Sequence, residues 1–358
     1  MKPRTFKTCT LAVMLFNLEA PVLSGTAVAQ AVDPAELVRD IHAIFGEHRA
    51  RAVHAKGVVL NATFEPTEQA RQLSRASVFA GKLQATVRLS NTTGFPEIPD
   101  ADPNATPRGL AVKVKLGDGS EMDLVTHSFN GFPAATAAEF DTFLKAAAAS
   151  GPGAAKPTPI EKYLQAHPNA VPFVTQQKPP PESFATTAYF GVNAFAFVDA
   201  SGKKTALRYQ IVPQAGEKYL DTASAASKGP NYLMEEIAAR VAKAPVMFDW
   251  FAQIAQPGDR TDDPSTPWPE DRQLVKLGTL TITEVAADQE RLSRSLLFLP
   301  NNVPPDRTGR SDDRSAQRRL SDLLWRTSVI ARFMSKSRPR ERPKRRVARA
   351  SRMSALGP

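Results

Sequence analysis

The stretch Arg51-Ala52-Val53-His54-Ala55-Lys56-Gly57 runs straight into Val58-Val59-Leu60-Asn61-Ala62-Thr63-Phe64, and the fold turns on how that junction is read. The second half is the first strongly β-patterned segment of the chain; the first half brings an imidazole, set between two cations, to its start. Upstream, Asp33-Pro34 suits a helix start, with proline at the first helical position. Leu37, Val38, Ile41, Ile44 and Phe45 then repeat at helical spacing, predicting an amphipathic helix over 34–48. A histidine at a strand start has the rigid mount that acid-base chemistry needs. One histidine beside two basic residues is also the pattern of an ordinary strand edge, so the rest of the chain has to decide.

Further along, 57–65 and 83–90 read as strands, the second alternating Val87 and Leu89 with Arg88 and Ser90. Arg108 to Leu116 and Met122 to His127 flank Gly117-Asp118-Gly119-Ser120, the pattern of a hairpin. Ala137 to Ala149 is a helix with Phe140, Phe143 and Leu144 on one face. Proline-rich connectors at 151–159 and 178–181 enclose a short helix around 161–165. A second hairpin joins 189–199 to 205–213 through Ser201-Gly202-Lys203; a helix over 231–243 and strands over 246–255 and 274–286 follow. About eight strands in hairpin succession, with helices inserted, predict an α+β fold built on an antiparallel eight-stranded β-barrel, not a doubly wound sheet.

With 358 residues, 42% of them hydrophobic, the chain can bury a sizeable core, and its 30 prolines against 19 glycines imply fixed turns. No dinucleotide fingerprint, Walker loop, nucleophile elbow or paired-cysteine zinc motif occurs. Lys2, Arg4 and Lys7, the apolar run Leu11 to Phe16 and the small-residue site Ala27-Val28-Ala29 predict a signal peptide over 1–29 and a periplasmic or secreted protein. Its removal would take away Cys9, the only cysteine. No other apolar run is long enough to span a membrane. Residues 306–358 carry sixteen Lys or Arg against five Asp or Glu, leaving thirty basic and thirty-one acidic residues in 1–305. The positive excess therefore says nothing about the domain at 30–305. The tail at 306–358 reads as arginine-rich and disordered, with no specific nucleic-acid partner implied.

Arg51 to Gly57, followed by an aromatic residue in the same strand, resembles the distal-histidine segment of the haem catalase family, and later motifs recur in that family's order. The resemblance runs from about residue 35 to 300, is densest between 50 and 145, and is greatest to the short catalase-related peroxidases. It implies a catalase-like barrel that binds haem b. His54 matches the distal acid-base residue and Ser90 the hydroxyl that orients it; Arg51 and Arg88 match partners of the haem propionates, and Phe140 an aromatic residue near the haem. Arg108-Gly109-Leu110-Ala111-Val112-Lys113 matches a strand of structural role. An ungapped match places His127 where catalases carry a distal asparagine, with Asn130 close by. That departure fits a peroxidase better than a fast dismutase.

The family's iron ligand is a tyrosine in an R-x-x-x-Y motif. None of Tyr163, Tyr189, Tyr209, Tyr219 and Tyr232 stands in one after the last strand, so the metal ligand is unassigned. The family pattern persists through Leu297 to Asn302 and stops after Pro305. Ala316 to Leu324 can be encoded so that reading one base later yields Arg-Ser-Ala-Ala-Tyr-Pro-Ile-Ser-Phe, which carries the motif; the tail from about Asp306 is accordingly read as a frameshifted version of the family's iron-ligand segment. Three functions follow from the resemblance. The first is a haem peroxidase acting on hydrogen peroxide or organic peroxides with a small organic electron donor. The others are a catalase-like haem isomerase of lipid hydroperoxides and a non-catalytic remnant without its iron ligand. Neither donor nor oligomeric state is implied.

Overall fold

The computed structural model of the protein describes residues 34–48 and 50–304. The expected signal peptide at 1–29 and the tail at 306–358, with its frameshift reading, lie outside the described residues. Helix α1 (Pro34–Phe45) precedes strands β1 (Gly57–Pro66), β2 (Leu83–Asn91), β3 (Arg108–Lys115) and β4 (Glu121–His127), with a short helix α2 (Glu68–Leu73) after β1. Helices α3 (Ala137–Ala148), α4 (Pro159–Ala166) and α5 (Val171–Thr175) then separate β4 from β5 (Tyr189–Val198) and β6 (Lys204–Pro213). After α6 (Thr222–Ala226) and α7 (Tyr232–Lys243) come β7 (Val246–Ile254), β8 (Leu274–Val285) and α8 (Gln289–Ser295). The eight strands close in sequence order into an antiparallel barrel, β1 returning to β8.

Period-two alternation chooses the inner face. Leu60 pairs with Val87, Val87 with Val112 and Val112 with Leu124, so the register carries one apolar level through four strands. Phe64, Phe79, Tyr209 and Trp250 fill the middle; the Trp250 ring lies 4.8 Å from Phe64 and 5.2 Å from Tyr209. An eight-stranded barrel is just wide enough to be filled by side chains. Here the filling is aromatic, and a large ligand has to bind outside it. The β3–β4 turn needs Gly119 at φ +82°, and Asp118 Oδ1 accepts from the Ser120 amide. β4 and β5 are joined as a ladder only at His127 and Phe190.

A smaller apolar cluster outside the barrel joins Leu37 and Ile41 of α1 to Leu144 of α3 and to Ala52, two residues before His54. The chain leaving β8 is pinned to the outside of β4, where Asp123 accepts from the Leu299 amide and its own amide donates to Asn302 O. Helix α4 begins with a capping box formed by Thr158 and Glu161. Helices α2, α5, α6 and α8 had no counterpart in the sequence reading. At five to seven residues they are too short to display a period. No helix among the described residues is long and apolar enough to cross a membrane.

Candidate active site

Gly57, Ser90, Gly109, His127 and Phe190 are register mates on β1 to β5. On β1 to β4 each stands an odd number of residues from the inward-facing level of Leu60, Val87, Val112 and Leu124, so the row faces outward. Two of its members are glycine, and each makes a hollow. A Cβ on Gly109 would lie 2.7 Å from the His54 ring and 2.7 Å from Ser90 Oγ. One on Gly57 would lie 2.8 Å from the Arg88 guanidinium carbon. Strand glycines mark close approach of another group, here an imidazole and a guanidinium.

His54 is not at the strand start, as the sequence suggested, but in a bend before it. The reason lies in its hydrogen bonds: His54 N donates to Thr92 O (2.9 Å) and Ala55 N to Thr93 O (3.1 Å), so the segment pairs with the chain beyond β2. Its φ of +54° makes it the one non-glycine residue with positive φ among those described. Left-handed backbone costs a residue with a side chain about 1–3 kcal/mol and persists only where its surroundings enforce it. The conformation lays the ring over Gly109, with Nδ1 2.9 Å from Ser90 Oγ. Burial, then the charge of Arg88, then His127 and Arg51, push the His54 pKa from 6.5 down to about 3. Burial likewise lowers His127 to about 4, outweighing the opposing pull of the Phe129 backbone, and both its ring nitrogens are buried. At neutral pH both imidazoles are uncharged. His54 can therefore take up a proton instead of already holding one.

Arg88 is 3% exposed, and its nearest hydrogen-bond acceptor is Ala55 O at 3.5 Å. Its Nε has no partner, and no carboxylate among the described residues forms an ion pair with it. Burial and then the neighbouring charge of Arg51 pull its pKa down to about 9, which leaves it charged at neutral pH. Arg51 donates to the carbonyls of Ser293 and Leu296 at the end of α8. A buried cation so thinly matched calls for an anion, and a planar guanidinium suits a carboxylate.

The remaining sequence candidates lie further out. Phe140 packs 5.1 Å from Phe132, whose ring is 6.3 Å from that of His127; it belongs to an aromatic wall beside His127. Asn130 is half-buried beyond the end of β4, and among the described residues no hydrogen bond joins it to His54, Ser90 or His127. The fold thus gathers His54, Ser90, His127, Arg51 and Arg88, with Phe140 one ring away and Asn130 apart. Gly57 and Gly109 escaped the sequence reading as site residues; a glycine inside a strand was the available signal.

Tested against a haem, the residues divide. Arg88, whose guanidinium makes one hydrogen bond, at 3.5 Å, fits a carboxylate carried by a buried ring, and the neutral His54 fits the face on which a peroxide is handled. The tyrosines do not offer an iron ligand. Tyr163, Tyr189 and Tyr232 donate to the carbonyls of Pro133, Phe184 and Pro181. Tyr219 donates to Glu217, and Tyr209 is buried in the barrel, stacked on Phe195 at 4.8 Å.

Comparison with known proteins adds to this geometry. Residues 36–323 match the family described as catalase, so the family pattern does not stop after Pro305 as the sequence reading expects but runs eighteen residues further. The catalase-related peroxidase of Mycolicibacterium paratuberculosis is 38% identical over 286 residues, covering 79% of this chain and 88% of that protein. The catalase-related peroxidase of Synechococcus elongatus is 31% identical over 307 residues, with 82% and 90% covered. Catalase A from Saccharomyces cerevisiae has a similar fold, with a TM-score of 0.66 at 16% identity over 79% of this chain and 61% of that one. A fungal catalase gives 0.64 at 19% identity, over 76% and 57%. The chain spans most of the length of the two peroxidases and less than two thirds of either solved catalase.

Proposed function

The chain belongs to the catalase family, and from that premise we propose that it is a haem peroxidase reducing hydrogen peroxide or an organic peroxide with electrons from a small organic donor. The observation that carries this reading is the neutral His54 imidazole, held on Ser90 over Gly109 beside an unmatched buried Arg88. The family is haem-dependent, and haem b is the form proposed here. Arg88, with Arg51, would hold its carboxylates, and Phe140 would form part of the aromatic wall beside His127. Haem iron, when bound, supplies the redox centre for splitting the oxygen–oxygen bond.

The chain's own residues move the protons. With Nδ1–H donating to Ser90 Oγ, His54 Nε2 carries a lone pair, takes the proton from one peroxide oxygen and returns it to the other as that oxygen leaves as water or alcohol. Two electrons and two protons from the donor complete the balance. Ser90 fixes the ring, and His127, neutral and buried, adds no competing charge. Export to the periplasm, or secretion, is proposed from the N-terminal sequence pattern alone.

One observation favours a second reading. All five tyrosines are engaged elsewhere, as a non-catalytic remnant lacking its iron ligand would have them. Full-length protein supplied with haem separates the two. A Soret band together with peroxide consumption that His54→Gln abolishes supports the peroxidase; colourless protein overturns it.

A further inference from the structure

Two residues after His54, the Lys56 side chain turns into the protein and uses its ammonium group fully. Nζ reaches Asp100 Oδ1 at 2.8 Å, Ile98 O at 2.8 Å and Pro230 O at 2.6 Å. Asp100 is completely buried. Its Oδ1 also accepts from Asn91 Nδ2 and its Oδ2 from the Leu233 amide of α7, both at 2.9 Å. Arg108, 1% exposed, extends the cluster by donating to Asn91 Oδ1 and to the Asp100 carbonyl. The residue after Arg108 is Gly109, the floor under the His54 ring. One buried cluster therefore grips the His54 segment, the end of β2 and the start of β3, which are the three pieces that must meet for the ring to lie on Ser90.

We propose that Lys56 and Asp100 are positioning residues for His54: their buried ion pair holds the segment in its left-handed turn and so keeps the imidazole over Gly109 and on Ser90. This rests on the reading of His54 as the acid-base residue, but the geometry it claims exists without haem or peroxide. Two anchors hold the strained residue and the two that follow it: the backbone bonds of His54 and Ala55 to Thr92 and Thr93, and the Lys56 ammonium. Released from the second, the segment can relax to an ordinary φ and swing the ring off its hollow.

The test uses full-length, haem-free protein with labelled histidine, comparing the native chain with Lys56→Met and Asp100→Asn by NMR at one fixed pH near neutrality. In the native protein the His54 ring should show a single tautomer. In either folded variant the ring signals should average between tautomers while those of His127 stay in place. The His54 and Ala55 amides should exchange about tenfold to a hundredfold faster, the range a lost hydrogen bond to a charged group allows. A purely structural pair would lower the melting temperature and leave the His54 signals unchanged, and that result overturns the proposal. Should neither variant fold, the native protein decides: His54 and Ala55 amides protected like that of Leu60 support the clamp. Exchange as fast as at the exposed Gly202 turn sinks it. Absence of peroxidase activity would touch none of these readings.

Discussion

Arg88 on β2 and Arg208 on β6 occupy comparable places and lead different lives. Both point outward from a barrel strand, and both are buried, at 3% and 2% exposure. Arg208 donates to the carbonyls of Thr266 and Asp263 at 2.8 Å and of Arg260 at 3.1 Å, and its guanidinium lies 4.6 Å from the Trp268 ring centre. Arg88 has one contact at 3.5 Å. A buried charge is tolerated when hydrogen bonds replace its water, and Arg208 shows that this fold can build such a shell. That none is built around Arg88, beside a neutral histidine, marks the β1–β4 side of the barrel as the one prepared for a charged ligand.

The largest expected effect lies on that side. His54→Gln should cut peroxide consumption by the haem-loaded protein about a hundredfold to ten-thousandfold, the usual worth of a general acid-base group, with the urea midpoint nearly unmoved. Arg208→Met should do the reverse. Three carbonyls lose their donor, and unfolding free energy should fall by about 3–5 kcal/mol in urea titrations.

The two histidines sharpen the contrast through pH. Their folded pKa values, about 3 and about 4, lie below the unfolded 6.5. The unfolded chain therefore binds more protons throughout that window, and stability must fall as pH drops from 6.5 towards 4. The loss should be about 1–2 kcal/mol for each histidine by pH 5, and His54→Gln should remove its share.

Gly109→Ala would push a methyl into the His54 ring and Ser90 Oγ at 2.7 Å. Overpacking of this kind costs about 1–3 kcal/mol, and activity should fall more than stability. The smallest expected change is in the stability of Arg88→Met, within about 1 kcal/mol of the parent or above it, because an ill-matched buried charge is removed. Haem affinity should nonetheless drop. A loss of stability as large as that of Arg208→Met would break the comparison.

The sequence displayed the barrel because period-two alternation marks strands such as β1, with Leu60, Ala62 and Phe64 inward, and β8, with Leu280 and Ile282. It displayed His54, Ser90, Arg51 and Arg88 through a family pattern. What it could not display was set by three-dimensional proximity. Nothing in Arg88 or Arg208 distinguishes the unmatched guanidinium from the matched one, since the carbonyls concerned belong to residues 52 to 58 positions away from Arg208. Gly109 sat inside a motif read as structural, and the identity of the ring above it depends on a turn 55 residues earlier in the chain. The left-handed φ of His54 leaves no mark in composition, and Lys56 reads like any strand-edge lysine until Asp100 is found beneath it.

The seam between β4 and β5 gives the molecule an order of failure. A closed sheet shares load through ladders several residues long, but this seam has one link, between His127 and Phe190, while the β8–β1 seam that also joins the two halves runs over seven residue pairs. Warming or denaturant should part the wall at that link while the other seams still hold. Because the link is a residue of the reactive face, this protein should lose its chemistry by a local rip beside His127 before the barrel as a whole lets go.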